Sequence, residues 1–255
     1  MAFREINFKA VEKSNSKNSE FLLNLLEKGI SDEIKSESAR QRSCTFAPSC
    51  LRCRRKSWFR LRGTTTDIVV EPDLGLDFRA KVGTARHKDI QKTLSSVLDA
   101  DWIEVEDYLS ENPIPYKYEL RKSDYETQVY IPELPVKFAV DGIIRINGKI
   151  YLLEIKTSEY AAFESLTKEK DVHRDQIICY SAILGIHSIL FLYEDRTYGE
   201  HKSYETYISD VEHKAIIETM NEIKAMADMN IAPKKLQNGD YMCKNCEYKK
   251  KCMEW

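Results

Sequence analysis

Residues 137–157 read KFAVDGIIRINGKIYLLEIKT, and Asn147-Gly148 at their centre is the feature that most restricts how this chain can fold. Asn-Gly between two β-rich runs is the strongest short-range hairpin signal, a two-residue type I′ turn whose central residues both need positive φ. With those two residues as the loop, Ile146 faces Lys149, and every facing pair then sums to 295. Asp141 therefore falls directly opposite Glu154.

Two carboxylates facing each other on adjacent strands repel and destabilise a sheet. In the second strand, Ile150, Leu152, Glu154 and Lys156 alternate with Tyr151, Leu153 and Ile155, so both faces are largely apolar. That pattern belongs to a central strand covered on both sides, where an uncompensated acid is costly. A Glu-x-Lys alone is common at exposed strand ends; the acid that the turn sets against it singles this one out. A divalent cation between Asp141 and Glu154 would relieve the repulsion, with Lys156 on the same face. Hard carboxylate oxygens suit Mg²⁺ or Mn²⁺ better than zinc. Acids, a cation and a lysine in this arrangement suit metal-assisted phosphodiester hydrolysis: the ion acidifies a water and neutralises charge on the phosphate, and the lysine positions that water or stabilises the phosphate.

The chain, 255 residues with 42% hydrophobic and 31% charged, has the composition of a globular protein with one substantial core. Its longest apolar runs are too short to span a bilayer, and the first twenty residues lack an apolar stretch, so a cytoplasmic location without membrane partners is expected. In that compartment clustered cysteines point to metal or redox chemistry more than to disulfides. Cys243 and Cys246 have C-x-x-C spacing and Cys252 follows, one thiolate short of a tetrahedral site. Cys50 and Cys53 form a second C-x-x-C, so Cys50, Cys53, Cys243 and Cys246 make a candidate four-cysteine zinc set that leaves Cys252 unexplained. Net charge is only −2, but Arg40 to Gly63 carries eight Arg or Lys and no acid. Trp58 and Phe59 are interleaved there, a pattern that suits phosphate contacts with base stacking.

Periodicity predicts a short amphipathic helix ending near Gly29, a charged helix from Ser31 to Arg42, a strand or loop over residues 64–75, and a long helix over residues 78–100 containing His87. Strand-like segments fill residues 115–132. Beyond the hairpin come a helix containing HRDQIICY, a compact apolar strand (IHSILFLYED), an alternating strand (YETYIS) and a helix capped by Ser209 or Asp210 and closed before Pro233. Alternating helices and strands give an α/β or α+β core.

Asp141 followed by Glu154-Ile155-Lys156 resembles the motif of the PD-(D/E)XK nucleases, although no Pro directly precedes Asp141. Gln176 and Tyr180, i and i+4 on one helical face, resemble the Q-x-x-x-Y motif that follows the hairpin in RecB-type nucleases, and His87 resembles the histidine that precedes it. His173 shares the face of Gln176 and is given no role. The resemblance implies a restriction-endonuclease-like α/β fold, a mixed central sheet flanked by helices, from residue 44 to 255, preceded by a helical region over residues 1–43. It implies metal binding by His87, Asp141, Glu154 and the Ile155 carbonyl, catalysis by Lys156, and support of the site or DNA contact by Gln176 and Tyr180.

One RecB-like branch, including AddB-type helicase-nucleases and CRISPR-associated exonucleases, carries an iron–sulfur cluster on one N-terminal cysteine and a C-x-x-C-x₅-C tail. Cys243, Cys246 and Cys252 have that tail spacing. Cys53, in a stretch similar to S-x-L-x-x-C-P-R-K, is the implied fourth ligand of a 4Fe-4S cluster, with Arg54 where Pro is usual. Such a cluster is expected to bring Arg54-Arg55-Lys56 and Lys249-Lys250-Lys251 onto one DNA-facing surface. The activity implied is Mg²⁺- or Mn²⁺-dependent exonucleolytic cleavage of single-stranded DNA ends, alongside recombination, repair or CRISPR-adaptation proteins. The alternatives are a structure-specific endonuclease and a non-catalytic zinc- or cluster-bearing DNA-binding module.

Overall fold

The computed structural model describes residues 17–39, 44–67, 73–98, 101–122, 126–237, 240–244 and 246–254. In chain order the elements are α1 (Lys17–Ala39), a 3₁₀ turn (Pro48–Cys50), α2 (Arg54–Leu61), α3 (Leu74–Leu98), β1 (Trp102–Ile103), α4 (Val105–Glu111), β2 (Glu119–Lys122), β3 (Thr127–Ile131), β4 (Val136–Ala139), β5 (Gly142–Ile146), β6 (Lys149–Ser158), α5 (Tyr160–Glu164), α6 (Asp171–Leu184), β7 (Ser188–Asp195), β8 (His201–Tyr207), α7 (Asp210–Asp228) and two short terminal helices, α8 (Tyr241–Lys244) and α9 (Lys249–Glu254). Two compact units divide the chain: Met1–Gln41 with Val69–Arg79, and Arg42–Ile68 with Ala80–Trp255. Among the described residues no helix is long and apolar enough to cross a membrane.

In the first unit, α1 passes through Gly29 and ends at Ala39, where a stop at Gly29 was expected. Gly29 does not take the left-handed conformation that a terminating glycine adopts, and the helix-forming residues beyond it carry the helix on. The remainder of the predicted helix to Arg42, and residues 68–72 of the strand or loop predicted over residues 64–75, lie outside the described residues.

The second unit holds a five-stranded mixed sheet in the order β1-β5-β6-β7-β8 and a separate antiparallel sheet, β2-β3-β4. The hairpin forms as its turn requires: Asn147 (φ 51°) and Gly148 (φ 78°) are both left-handed, and pairs run from Ile146↔Lys149 to Gly142↔Leu153, each summing to 295. β6 is the central strand. It pairs antiparallel with β5 and parallel with β7, across the α5–α6 crossover.

Helices cover the sheet on both faces. Ile90 and Leu94 of α3 pack with Leu153, Ile155, Leu190 and Leu192. Leu152, Ile189 and Phe191 belong to the main core with Ile177 and Ile183 of α6 and Met220 and Ile223 of α7. This is the mixed α/β layout, central sheet flanked by helices, expected from the sequence. One expected strand is instead two: β4 pairs with β3 in the small sheet, and the chain changes sheets at Val140-Asp141 before β5 begins.

The basic segment of α2 is turned inward, which corrects the expectation of base stacking on a positive surface. Trp58 and Phe59 are 1% and 2% exposed, and Phe59 stacks on buried Tyr248 of the tail, centroids 5.1 Å apart. Arg55 donates to the Pro233 carbonyl (2.7 Å), Lys56 pairs with Glu247 (2.8 Å), Arg54 pairs with Glu222, and Lys251 donates to the Thr65 carbonyl (2.6 Å). Aromatics alternating with cations here anchor the C-terminal tail against residues 44–67.

α7 starts with a reciprocal capping box. The Glu212 carboxylate accepts from the Ser209 backbone N–H (2.9 Å) and hydroxyl (2.8 Å), and Ser209 Oγ accepts from the Glu212 N–H (3.4 Å). Arg174 of α6 pairs with the same carboxylate at 2.6 Å. That ion pair, opposed by desolvation and helped by Ser209, holds Glu212 down to about 2. A depressed carboxyl contributes stability above its unfolded value and loses it as pH falls from there to the folded value. We therefore expect Glu212→Gln, which keeps the box but loses the charge, to cost about 1 kcal/mol at neutral pH. In urea melts the gap to wild type closes as pH is lowered from about 5 towards 2; a gap independent of pH overturns the assignment.

Candidate active site

Asp141 sits where the chain leaves the small sheet, one residue before the β5–β6 ladder, and the register places it opposite Glu154. Its Oδ2 accepts the backbone N–H of Ile155 at 2.6 Å, so the carboxylate continues the ladder past the end of β5. The next residue, Gly142, lies under the indole of Trp102 on β1: a Cβ there would come within 2.5 Å of the ring. Only glycine admits that approach, which walls one side of the Asp141 turn.

Glu154 is 2% exposed and Lys156 19%, and their side chains form an ion pair on the face of β6 that meets α6. Burial raises the Glu154 carboxyl above its ordinary range; Asp141 adds to this and Lys156 opposes it. Burial works against the Lys156 ammonium, but Glu154 and Asp141 outweigh it and hold it charged.

From α3, His87 brings Nδ1 to 3.6 Å from Asp141 Oδ1. One turn on, the buried Gln91 donates Nε2 to the Asp141 backbone carbonyl at 2.9 Å. Its Oε1 is buried with no hydrogen-bond partner among the described residues. Arg86, beside His87, grips Glu194 of β7 with both ends of its guanidinium, at 2.7 and 2.8 Å. Glu194 is 2% exposed and also meets His201 at 3.2 Å. A Cβ at Gly83 would lie 3.2 Å from Thr157 Oγ1, so α3 packs tightly against the end of β6.

From α6, Gln176 donates to the hydroxyl of buried Tyr180, whose ring stacks on Phe138 with centroids 5.1 Å apart. Burial raises the Tyr180 phenol well above its usual value, and the charges of Glu154 and Asp141 add to that. His173 also has a defined setting. Tyr193 accepts from the Lys170 N–H (3.0 Å), and its hydroxyl oxygen lies 2.9 Å from His173 Nδ1. Burial, then Lys156 and Lys170, pushes His173 down to about 3, leaving it neutral.

The structure places His87, Asp141, Glu154, Lys156 and Tyr180 around the C-terminal half of β6, with Gln176 bonded to Tyr180, but among the described residues the ligand atoms of His87, Asp141 and Glu154 do not all lie within 4.8 Å of one another. Asp141 lies nearest to His87, and Glu154 turns to Lys156. Gln91 went unnoticed in the sequence, although it stands at i+4 from His87 and so on the same helical face. A cleft of about 470 Å³ opens beside Asp141, with Lys88, Lys92 and Lys122 in its lining.

The cysteines occupy a different place. Cys53, Cys243, Cys246 and Cys252 line one cavity of about 650 Å³, and Cys50 is not in its lining. Cys53 caps α2, its sulfur accepting the Lys56 N–H at 3.4 Å; burial raises its thiol and that bond opposes the rise. Among the described residues no three cysteines bring their sulfurs within 4.8 Å of one another. Sulfurs about a tetrahedral zinc would be about 3.8 Å apart, from Zn–S bonds of about 2.3 Å. Cys179 is fully buried in the core, 4.0 Å from Met220 Sδ.

Neither a protein-family model nor a curated protein sequence matches this chain. Among solved structures, the crystal structure of SSO0001 aligns with a TM-score of 0.45 and 15% identity, covering 89% of this chain and 94% of that one. An alkaline exonuclease, LHK-Exo from Laribacter hongkongensis, aligns with a TM-score of 0.45 and 13% identity, covering 78% of this chain and 94% of that one. Its complex with dAMP gives 0.44 and 14% over the same shares. Similarity of this degree assigns no activity to this chain.

The Arg86–Glu194 pair fixes the helix that carries His87. Glu194→Gln leaves a guanidinium facing a neutral amide, and we expect a loss of about 1–3 kcal/mol, less than for a fully buried pair because Arg86 is partly solvated. Urea denaturation measures it; an unchanged midpoint would show that the pair does not hold α3.

Proposed function

We propose that this chain is a Mg²⁺- or Mn²⁺-dependent deoxyribonuclease of the PD-(D/E)XK type, acting on DNA ends. The observation that carries the reading is the register of the β5–β6 hairpin, which sets Asp141 opposite a buried Glu154 that is paired with Lys156. The donor set suits a hard divalent ion: two carboxylates, an imidazole and a backbone carbonyl, with Gln91 Oε1 buried beside them and without a hydrogen-bond partner among the described residues. His87, Asp141, Glu154 and the Ile155 carbonyl would hold it. When bound, the ion supplies Lewis acidity and lowers the pKa of its water.

The protein's own groups do the positioning. The Ile155 N–H and Gln91 fix Asp141 at side chain and backbone, and His87 meets its second oxygen. Lys156, kept as an ammonium by the two acids, stabilises negative charge developing on the phosphate. Gln176 and Tyr180 brace the α6 side next to Glu154. Lysines beside the Asp141 cleft suit the approach of a phosphate backbone. Preference for single-stranded ends, and service in recombination, repair or CRISPR adaptation, rest on the resemblance of the motif order to RecB-like nucleases.

We further propose a 4Fe-4S cluster in the cysteine cavity, held by Cys53, Cys243, Cys246 and Cys252. Four thiols lining one cavity support this set, and the place of Cys50 outside the lining disfavours the zinc alternative. The cluster is structural, and the hairpin carries the chemistry.

Digestion of end-labelled single- and double-stranded DNA with Mg²⁺, Mn²⁺ or chelator tests the activity. Wild type is expected to degrade DNA only with metal, and Glu154→Ala to lose at least about 10³-fold in rate while still binding DNA. Undiminished cleavage by that variant would sink the catalytic assignment. Anaerobically purified protein is expected to be brown and to contain iron and sulfide, both lost in Cys252→Ser. Zinc without iron or colour would replace the cluster with a zinc site.

A further inference from the structure

A second group of metal-ligating side chains lies away from the hairpin acids. One ring nitrogen each of His187 and His213 and a carboxylate oxygen of Asp210 lie within 4.8 Å of one another. His187 is in the turn between α6 and β7; Asp210 and His213 stand on the first turn of α7. Ser188 starts β7 three residues before Phe191, the sheet neighbour of Glu154, so roughly 10 Å of strand separates this group from the acids.

The hydrogen bonds determine which nitrogens carry protons. His187 Nδ1 lies 2.7 Å from the Ile208 carbonyl, which can only accept, so Nδ1 is protonated and Nε2 keeps its lone pair. Ser181 Oγ donates its single proton to the Ile186 carbonyl (2.6 Å) and so must accept from His213 Nε2 at 2.5 Å, leaving His213 Nδ1 unprotonated. Both rings are therefore oriented by a bond on one nitrogen, the arrangement that fixes imidazoles as metal ligands.

His187 Nε2 is 3.6 Å from Asp210 Oδ1, beyond a hydrogen bond, and the two rings stack with centroids 4.4 Å apart. Two imidazoles and one carboxylate supply three of the ligands of a four-coordinate zinc site.

We propose that His187, Asp210 and His213 form a zinc site that ties the start of α7 to the turn leading into β7. The site is structural: it joins two elements already linked by the Ile208 N–H to His187 carbonyl bond (2.9 Å). It is independent of the nuclease reading and of the cysteine cavity.

Zinc content after equilibrium dialysis, measured on the full chain, tests it. His187→Gln and His213→Gln are expected to retain one equivalent less zinc than wild type and to lose the rise in melting temperature that zinc produces. Asp210→Asn changes a side chain that is 94% exposed, and so leaves folding intact should either histidine variant fail to fold. It is expected to weaken zinc binding by about tenfold or more. Because Cys252→Ser and Glu154→Ala leave these ligands in place, the zinc-dependent rise should survive in both. Zinc content and affinity equal to wild type in Asp210→Asn and in every folded histidine variant would overturn the site, as would loss of the rise in Cys252→Ser alone.

Discussion

A carboxylate with 2% of its surface exposed cannot stay charged in a protein core without compensation. Glu154 is such a group, and its neighbours are arranged around that fact. Lys156 reaches back along the strand to pair with it, while Asp141, held one step past the hairpin ladder, adds a second negative charge. The repulsion is built in by backbone geometry, because Asn147-Gly148 admits one register and that register puts the acids face to face. A sheet selected for stability alone would place an apolar pair there. The helices on either side then do work that packing does not require: α3 brings His87 and Gln91 to Asp141, and α6 brings Tyr180 to Glu154.

The hairpin was readable in the sequence because both of its determinants are local. A two-residue turn needs only its own side chains to set φ, and period-2 alternation needs only the strand. The burial of both faces of β6 was readable for the same reason, as was a cap of α7 at Ser209 or Asp210, of which Ser209 is the one that forms. What could not be read depends on partners distant in the chain. Residues 136–146 look like one continuous strand, and nothing within them says that Val136 will pair with Ile131 while Gly142 pairs with Leu153. The break falls at Asp141, and it frees that backbone from one sheet just where its carboxylate begins to act for the other.

Trp58 and Phe59 make the same point from the other side. Aromatics set among arginines have one appearance whether they await a nucleobase or a core. Tyr248, almost two hundred residues on, decides between these by stacking on Phe59. Gln91 and His173 were open to inspection, one at i+4 from His87 and one beside Gln176. Their roles depend on the Asp141 carbonyl and the Tyr193 hydroxyl, which lie on other elements.

The tail is held by contacts that need no metal. Arg55 on Pro233, Lys56 on Glu247, Lys251 on Thr65 and Tyr248 on Phe59 already close residues 44–67 against residues 233–254. A cluster bound by Cys53, Cys243, Cys246 and Cys252 would thus enter a cavity whose walls are in place, and little of its binding free energy would go into ordering the chain. Cys53 is suited to such a role: the Lys56 N–H at the start of α2 favours its thiolate, while burial disfavours that form until a positive ion arrives. The consequence is a division of labour along the fold. On the proposed reading, metal at the tail would add stability to a clasp that already exists, whereas a cation at the hairpin would compensate the charge that Asp141 and Glu154 bring together.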